Sequence, residues 1–188
     1  MNKIIKIKFT LFFLLISVLK FTFSQNIIAP EHDKTVIPNV GVKAPDFSGH
    51  YFDGKPFTLS KIAKNKPVLL WFTNLCSGCQ SKLQFIEELN KKYQKKEMEV
   101  LAVSQLGSDQ KTVEDIIRQN NLSVRFVYDP SGVATTLYTG GYNPGICPVK
   151  NIYLIDKSGK ISFATHYPGV SEKELTKQIN KLTKGNQQ

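Results

Sequence analysis

The 188-residue sequence predicts an α/β fold, a mixed central sheet with helices on both faces, and three observations carry that prediction. Short runs rich in β-branched and aromatic residues alternate with segments whose apolar residues recur at helical spacing. The run PVLLWFT, 67–73, is apolar on both faces, as suits a strand buried under helices. Near the C-terminus, KNIYLID and KISFATHY flank the turn Lys157-Ser158-Gly159, which makes an antiparallel hairpin and so a mixed sheet.

The chain opens with Lys3, Lys6 and Lys8 ahead of an apolar run from Phe9 to Leu19, followed by Lys20 and the small residue Ser24. This pattern reads as a secretory signal peptide over residues 1–24, cleaved after Ser24. The alternative is an uncleaved anchor, but the apolar core over 9–19 is eleven residues long and falls short of the roughly 20 needed to span a bilayer. No cysteine near the junction could carry a lipid. Residues 25–40 lack a clear period, contain Pro30 and Pro38, and read as a lead-in to a single domain over 41–184, long enough for a full hydrophobic core.

Without residues 1–24 the chain has 21 basic and 15 acidic residues, a net charge of +6 against +10 for the whole. Lys91, Lys92, Lys95 and Lys96 lie among Glu87, Glu88, Glu97 and Glu99, and Arg118 and Arg125 are the only arginines. That is a solvated face rather than a nucleic-acid patch, which would cluster basic residues with aromatic or Arg readers.

Within the domain, Asp53-Gly54 forms a turn between Tyr51-Phe52 and Pro56-Phe57-Thr58, so a hairpin is expected there. Ser60 is placed to cap a short helical turn through Ala63. After the 67–73 strand, a helix starts at Cys76 and Cys79, with Leu83, Ile86, Leu89, Asn90 and Tyr93 on one face. Then follow a strand over 98–105, a helix over 108–121 capped by Ser108 or Asp109, a strand over 123–129 and a short helix over 132–138. A turn-rich loop holding Gly140-Gly141, Pro144-Gly145 and Cys147-Pro148 leads to the hairpin. The last helix begins at Ser171, in capping-box register with Glu174.

The stretch TNLCSGCQ carries the chemistry, because a Cys-x-x-Cys spacing serves both redox exchange and zinc ligation. A cysteine at a helix start faces unpaired N–H groups and the positive end of the helix dipole, so Cys76 is expected to have a lowered pKa and to attack. Cys79, one turn along and on the inner side, can then attack a mixed disulfide at Cys76. Zinc would need two more ligands, and Cys147, His32, His50 and His166 form no second ligand pair. A purely structural Cys76–Cys79 disulfide would close too short a loop to stabilise much. None of the histidines is assigned a role, and Arg125 is expected in a structural ion pair.

GVKAPDF, DGKPFTLSKI, KPVLLWFTNLCSGC with its helix, and NIYLIDKSGKI before a final helix resemble the thioredoxin-like redoxins over residues 41–183. In particular they are similar to the exported TlpA/ResA-type thiol–disulfide oxidoreductases, relatives of the AhpC/TSA proteins. The APDF element is shared with the peroxiredoxins. The resemblance implies a thioredoxin-like fold, Cys76 as nucleophile, Cys79 as resolving cysteine, and a cis-proline opposite them that helps bind substrate. Pro148 is the candidate, although Val149 and Lys150 separate it from NIYLID where the family has none. Three positions depart from the family: Leu75 replaces the usual Trp, Lys82 a common Glu, and Leu70 the buried Asp of ordinary thioredoxins. Water or another group must then handle the Cys79 proton. Cys147, next to Pro148, is either a buried apolar residue or a third redox or substrate-contacting thiol.

The function implied is exchange of a Cys76–Cys79 dithiol/disulfide with cysteine pairs of other exported proteins, in the periplasm or otherwise outside the cytosol. A reducing or oxidising electron-transfer partner is required, with no cofactor, no metal and no nucleic acid. The membrane is involved only through residues 1–24, if they are retained. Two alternatives stand beside this: a peroxiredoxin-like thiol peroxidase, and a redoxin-fold binding or metal-carrier module without turnover. Thr73 suits a peroxidatic motif, but Leu69 stands where that motif has proline. A copper carrier of related fold wants a longer spacer than Ser77-Gly78.

Overall fold

A computed structural model describes residues 37–94, 98–105, 109–140 and 148–184. The expected signal peptide, residues 25–36 of the lead-in, Ser108 and Cys147 lie outside them. The elements are β1 (Ser48–His50), β2 (Pro56–Thr58), α1 (Leu59–Ala63), β3 (Val68–Thr73), α2 (Ser77–Gln80), α3 (Leu83–Tyr93) and β4 (Glu99–Ser104). They continue with α4 (Gln110–Gln119), β5 (Arg125–Tyr128), α5 (Val133–Thr139), β6 (Ile152–Ile155), β7 (Ile161–Thr165) and α6 (Glu172–Lys184).

Five strands form one sheet in the order β5-β4-β3-β6-β7, and β1-β2 form a separate hairpin. Strands β3, β4 and β5 are parallel, while β6 runs against both β3 and β7. The sheet is therefore mixed, with β3 at its centre, and every residue of β3 is buried. Alternate residues of β3 point into two separate core layers, which is why PVLLWFT lacks a polar face. Leu69 and Trp71 pack with Leu83, Ile86 and Leu89 of α3, Val113 of α4 and Leu175 and Ile179 of α6. Leu70 and Phe72 pack on the other face with Leu59 and Ala63 of α1 and Ala134, Leu137 and Tyr138 of α5. Each fully buried large apolar side chain contributes about 1.5–3 kcal/mol, so these two layers hold the sheet.

The structure shifts two expected boundaries. The hairpin pairs Ser48 with Thr58 and His50 with Pro56, so its first strand ends before Tyr51. Tyr51 instead bridges to Val127 of β5 and lays its ring 5.0 Å from that of Phe57, docking the hairpin on the sheet edge. Ser60 does not cap α1; it is itself held by Asp46, whose carboxylate accepts from its N–H at 2.9 Å and its hydroxyl at 2.6 Å. At α4 the expected cap is present, with Asp109 accepting from the Thr112 N–H. Ser171 accepts from the Glu174 N–H at 3.2 Å at the start of α6.

Candidate active site

The cysteine turn is built by side chains that satisfy backbone groups as the chain leaves β3. The Thr73 hydroxyl accepts from the Leu75 N–H at 3.0 Å, and the Asn74 carboxamide oxygen accepts from the Cys76 N–H at 3.1 Å. These are the local bonds by which short polar residues compete with regular structure. Leu75 between them has φ 51°, in the left-handed region, and its side chain is buried. Its carbonyl accepts from the Gln80 side chain at 2.7 Å.

Cys76 is the N-cap residue of α2 and is exposed, whereas Cys79 is fully buried. The expected helix therefore starts where the sequence placed it, but it does not run on unbroken into α3. The Ser81 hydroxyl donates to the Gly78 carbonyl at 2.7 Å, and the Lys82 N–H turns to Cys79 instead. The helix breaks at Ser81-Lys82 and α3 begins afresh at Leu83.

The loop between β7 and α6 covers this turn. A Cβ added at Gly78 would lie 3.9 Å from the Cys76 sulfur and 4.0 Å from the Pro168 ring, so glycine leaves both in close reach of the spacer. The Tyr167–Pro168 peptide is cis. Tyr167 is fully buried, its ring centroid 6.0 Å from Phe85 and 6.5 Å from Trp71. Burial first, then the charges of Glu172 and Cys79, push its hydroxyl above the ordinary tyrosine pKa, so it stays protonated.

The bond before Pro148 includes Cys147, so the cis-proline expected there falls outside the described residues, as does Cys147 itself. Pro148 accepts a hydrogen bond from His166 Nδ1 at 2.9 Å, which ties its segment to the end of β7. The next residue, Val149, is 81% exposed, the largest exposure among the bulky apolar side chains described. Lys82 pairs with Glu172 of α6 at 3.1 Å. Leu70 lies in the core layer on the opposite side of the sheet from Cys79. Arg125 makes the structural ion pair expected of it, 3.3 Å from Glu99, with its guanidinium over the Tyr51 ring.

Asn74, Gln80 and Tyr167 escaped the sequence reading. The one available signal was a polar Thr73-Asn74 pair ending an otherwise apolar strand. Clefts of about 240 and 430 Å³ open beside Lys43 and Lys64 and beside Tyr51 and Lys66, and neither is lined by a cysteine. No helix among the described residues is long and apolar enough to cross a membrane.

A strand-turn-helix that presents one sulfur to solvent and buries the second defines a thioredoxin-like dithiol protein. Residues 40–164 match the AhpC/TSA family. The thiol-disulfide oxidoreductase ResA of Bacillus thuringiensis subsp. konkukian is 30% identical over 77% of this chain and 79% of its own. ResA of Geobacillus thermodenitrificans is 28% identical over 79% of each. The thioredoxin domain of a thiol-disulfide oxidoreductase from Bacteroides vulgatus shares the fold, with a TM-score of 0.60 at 21% identity over 76% of this chain and 99% of that one. The chain belongs to the AhpC/TSA family, as one of its thioredoxin-like thiol–disulfide oxidoreductases.

Proposed function

We propose that this protein is exported and exchanges a Cys76–Cys79 dithiol/disulfide with cysteine pairs of other exported proteins. The observation that carries the assignment of roles is the contrast between the two sulfurs: Cys76 is exposed at a helix start, while Cys79, one turn on, is fully buried. Only the first can meet a sulfur on another protein. In the reductive direction the Cys76 thiolate attacks a substrate disulfide, forming a mixed disulfide and releasing one substrate thiolate. Cys79 then loses its proton and attacks the Cys76 sulfur, which releases the second substrate thiolate and leaves the Cys76–Cys79 disulfide. Two electrons pass to the substrate, and an electron-transfer partner must restore the dithiol. Exposed Val149 beside Pro148 supports a substrate-binding edge there, with Cys147 the adjoining thiol. The lysine-flanked apolar run at the N-terminus supports export.

Insulin reduction and peroxide consumption, assayed on one preparation, test the reading. Disulfide reduction should be seen and should vanish in Cys76→Ser, while Cys79→Ser should accumulate a mixed disulfide at Cys76. Peroxide turnover without disulfide exchange would overturn the assignment.

A further inference from the structure

The Cys79 sulfur is closed off from solvent, and the side chain of Asn74 lies beside it. The carboxamide oxygen of Asn74 lies 3.8 Å from Cys79 Sγ, and the same oxygen accepts from the Cys76 N–H at 3.1 Å. That second bond fixes which way the carboxamide points. Were the amide flipped, its NH₂ would face the Cys76 N–H, donor against donor, so the oxygen must occupy the site. Asn74 is itself buried, which excludes free rotation into water. A carbonyl oxygen can only accept. Toward Cys79 it therefore favours the S–H form and opposes the thiolate.

We infer that Asn74 is a positioning residue that links the backbone at the attacking cysteine to the protonation of the resolving one, and thereby biases the pair toward the dithiol. The inference rests on the roles proposed above for the two cysteines. Forming the disulfide removes two electrons and two protons from the pair, one proton being that of Cys79. An acceptor that holds this proton stabilises the reduced side of the couple, and that S–H contact, unlike the bond from the Cys76 N–H, is lost when the disulfide forms. The disulfide then forms less readily, and the pair is a stronger oxidant than it would be without Asn74. Because the contact is a sulfur hydrogen bond, its effect is modest.

Two substitutions separate this from a role in shaping the turn. In Asn74→Ala the acceptor is gone; in Asn74→Asp the oxygen that holds the Cys76 N–H remains, but a negative charge now faces Cys79 and holds its proton more firmly. The measurement is the dithiol/disulfide equilibrium of the full chain against reduced and oxidised glutathione, read by alkylation and mass, in which oxidised glutathione takes the two electrons. Asn74→Ala should shift the equilibrium roughly threefold toward the disulfide, about 15 mV more reducing. Asn74→Asp should shift it in the opposite direction. Shifts of the same sign, or none in variants whose thermal unfolding matches the parent, would overturn the inference. Since this equilibrium requires no protein substrate, it stands apart from the insulin assay, whose failure would instead sink the proposed exchange function.

Discussion

The carboxamide of Asn151 grips the backbone of Tyr167 from both sides, its oxygen accepting from the Tyr167 N–H at 2.7 Å and its nitrogen donating to the Tyr167 carbonyl at 2.8 Å. Both residues are fully buried, so no water can replace either bond. This pair holds the turn that carries Pro168 against the cysteine spacer. Asn151→Ala leaves two buried backbone groups unpaired, each costing about 1–3 kcal/mol, and should lower stability by about 3 kcal/mol in urea unfolding. Insulin reduction should fall more than the unfolded fraction explains, because the covering turn is loosened.

Glu87 and Asp129 should pull the pH dependence of stability in opposite directions. Burial raises Glu87, but the Ser123 hydroxyl, the Val124 and Ser123 N–H groups and Lys91 together hold it below the ordinary glutamate value. Its contribution is present above the unfolded value of about 4.3 and is lost as pH falls through the lower folded value. Asp129 is raised, by burial above all, despite the Thr135 N–H and hydroxyl that donate to it. Its folded form holds the proton more tightly, so stability declines as pH rises from about 4 through the folded value. Urea midpoints followed from pH 3 upward should show Glu87→Gln losing the acid-side rise and Asp129→Asn losing the decline.

Leu75 should invert a familiar order of substitutions. Alanine normally outperforms glycine by up to about 1 kcal/mol, yet at φ 51° alanine is strained and glycine is not. Both variants lose the buried leucine side chain, at about 2–4 kcal/mol. Chemical denaturation should therefore find Leu75→Gly at least as stable as Leu75→Ala.

Much of the architecture was legible in the sequence because it follows from periodicity. The doubly apolar run 67–73 and the helical spacing of Leu83, Ile86 and Leu89 mark elements that burial determines, and the Lys157-Ser158-Gly159 turn is set locally by the positive φ of Gly159 and the Asp156 carboxylate. What was not legible depends on side chains meeting across the chain. Tyr51 leaves the expected strand to bridge Val127 and pack on Phe57, and no local pattern announces that. The helix breaks at Ser81-Lys82, where the Lys82 N–H bonds to Cys79 and the Gly78 carbonyl takes the Ser81 hydroxyl, and no apolar spacing announces that. The pair of cysteines could be read from spacing, but the buried groups around Cys79 could not. Asn74 is close to it in sequence, whereas Tyr167 arrives from 88 positions downstream.

The burial of Cys79 also decides where oxidative damage falls. Peroxide that reaches the folded protein meets Cys76 first and converts it to a sulfenic acid, which, under the roles proposed above, condenses with the Cys79 thiol to a disulfide and releases water. If a second oxidant arrives before that condensation, the irreversible sulfinic product is confined to Cys76, while the inner sulfur remains intact. The wear of this protein is thus one-sided: a spent molecule retains a sound inner thiol beside an overoxidised outer one.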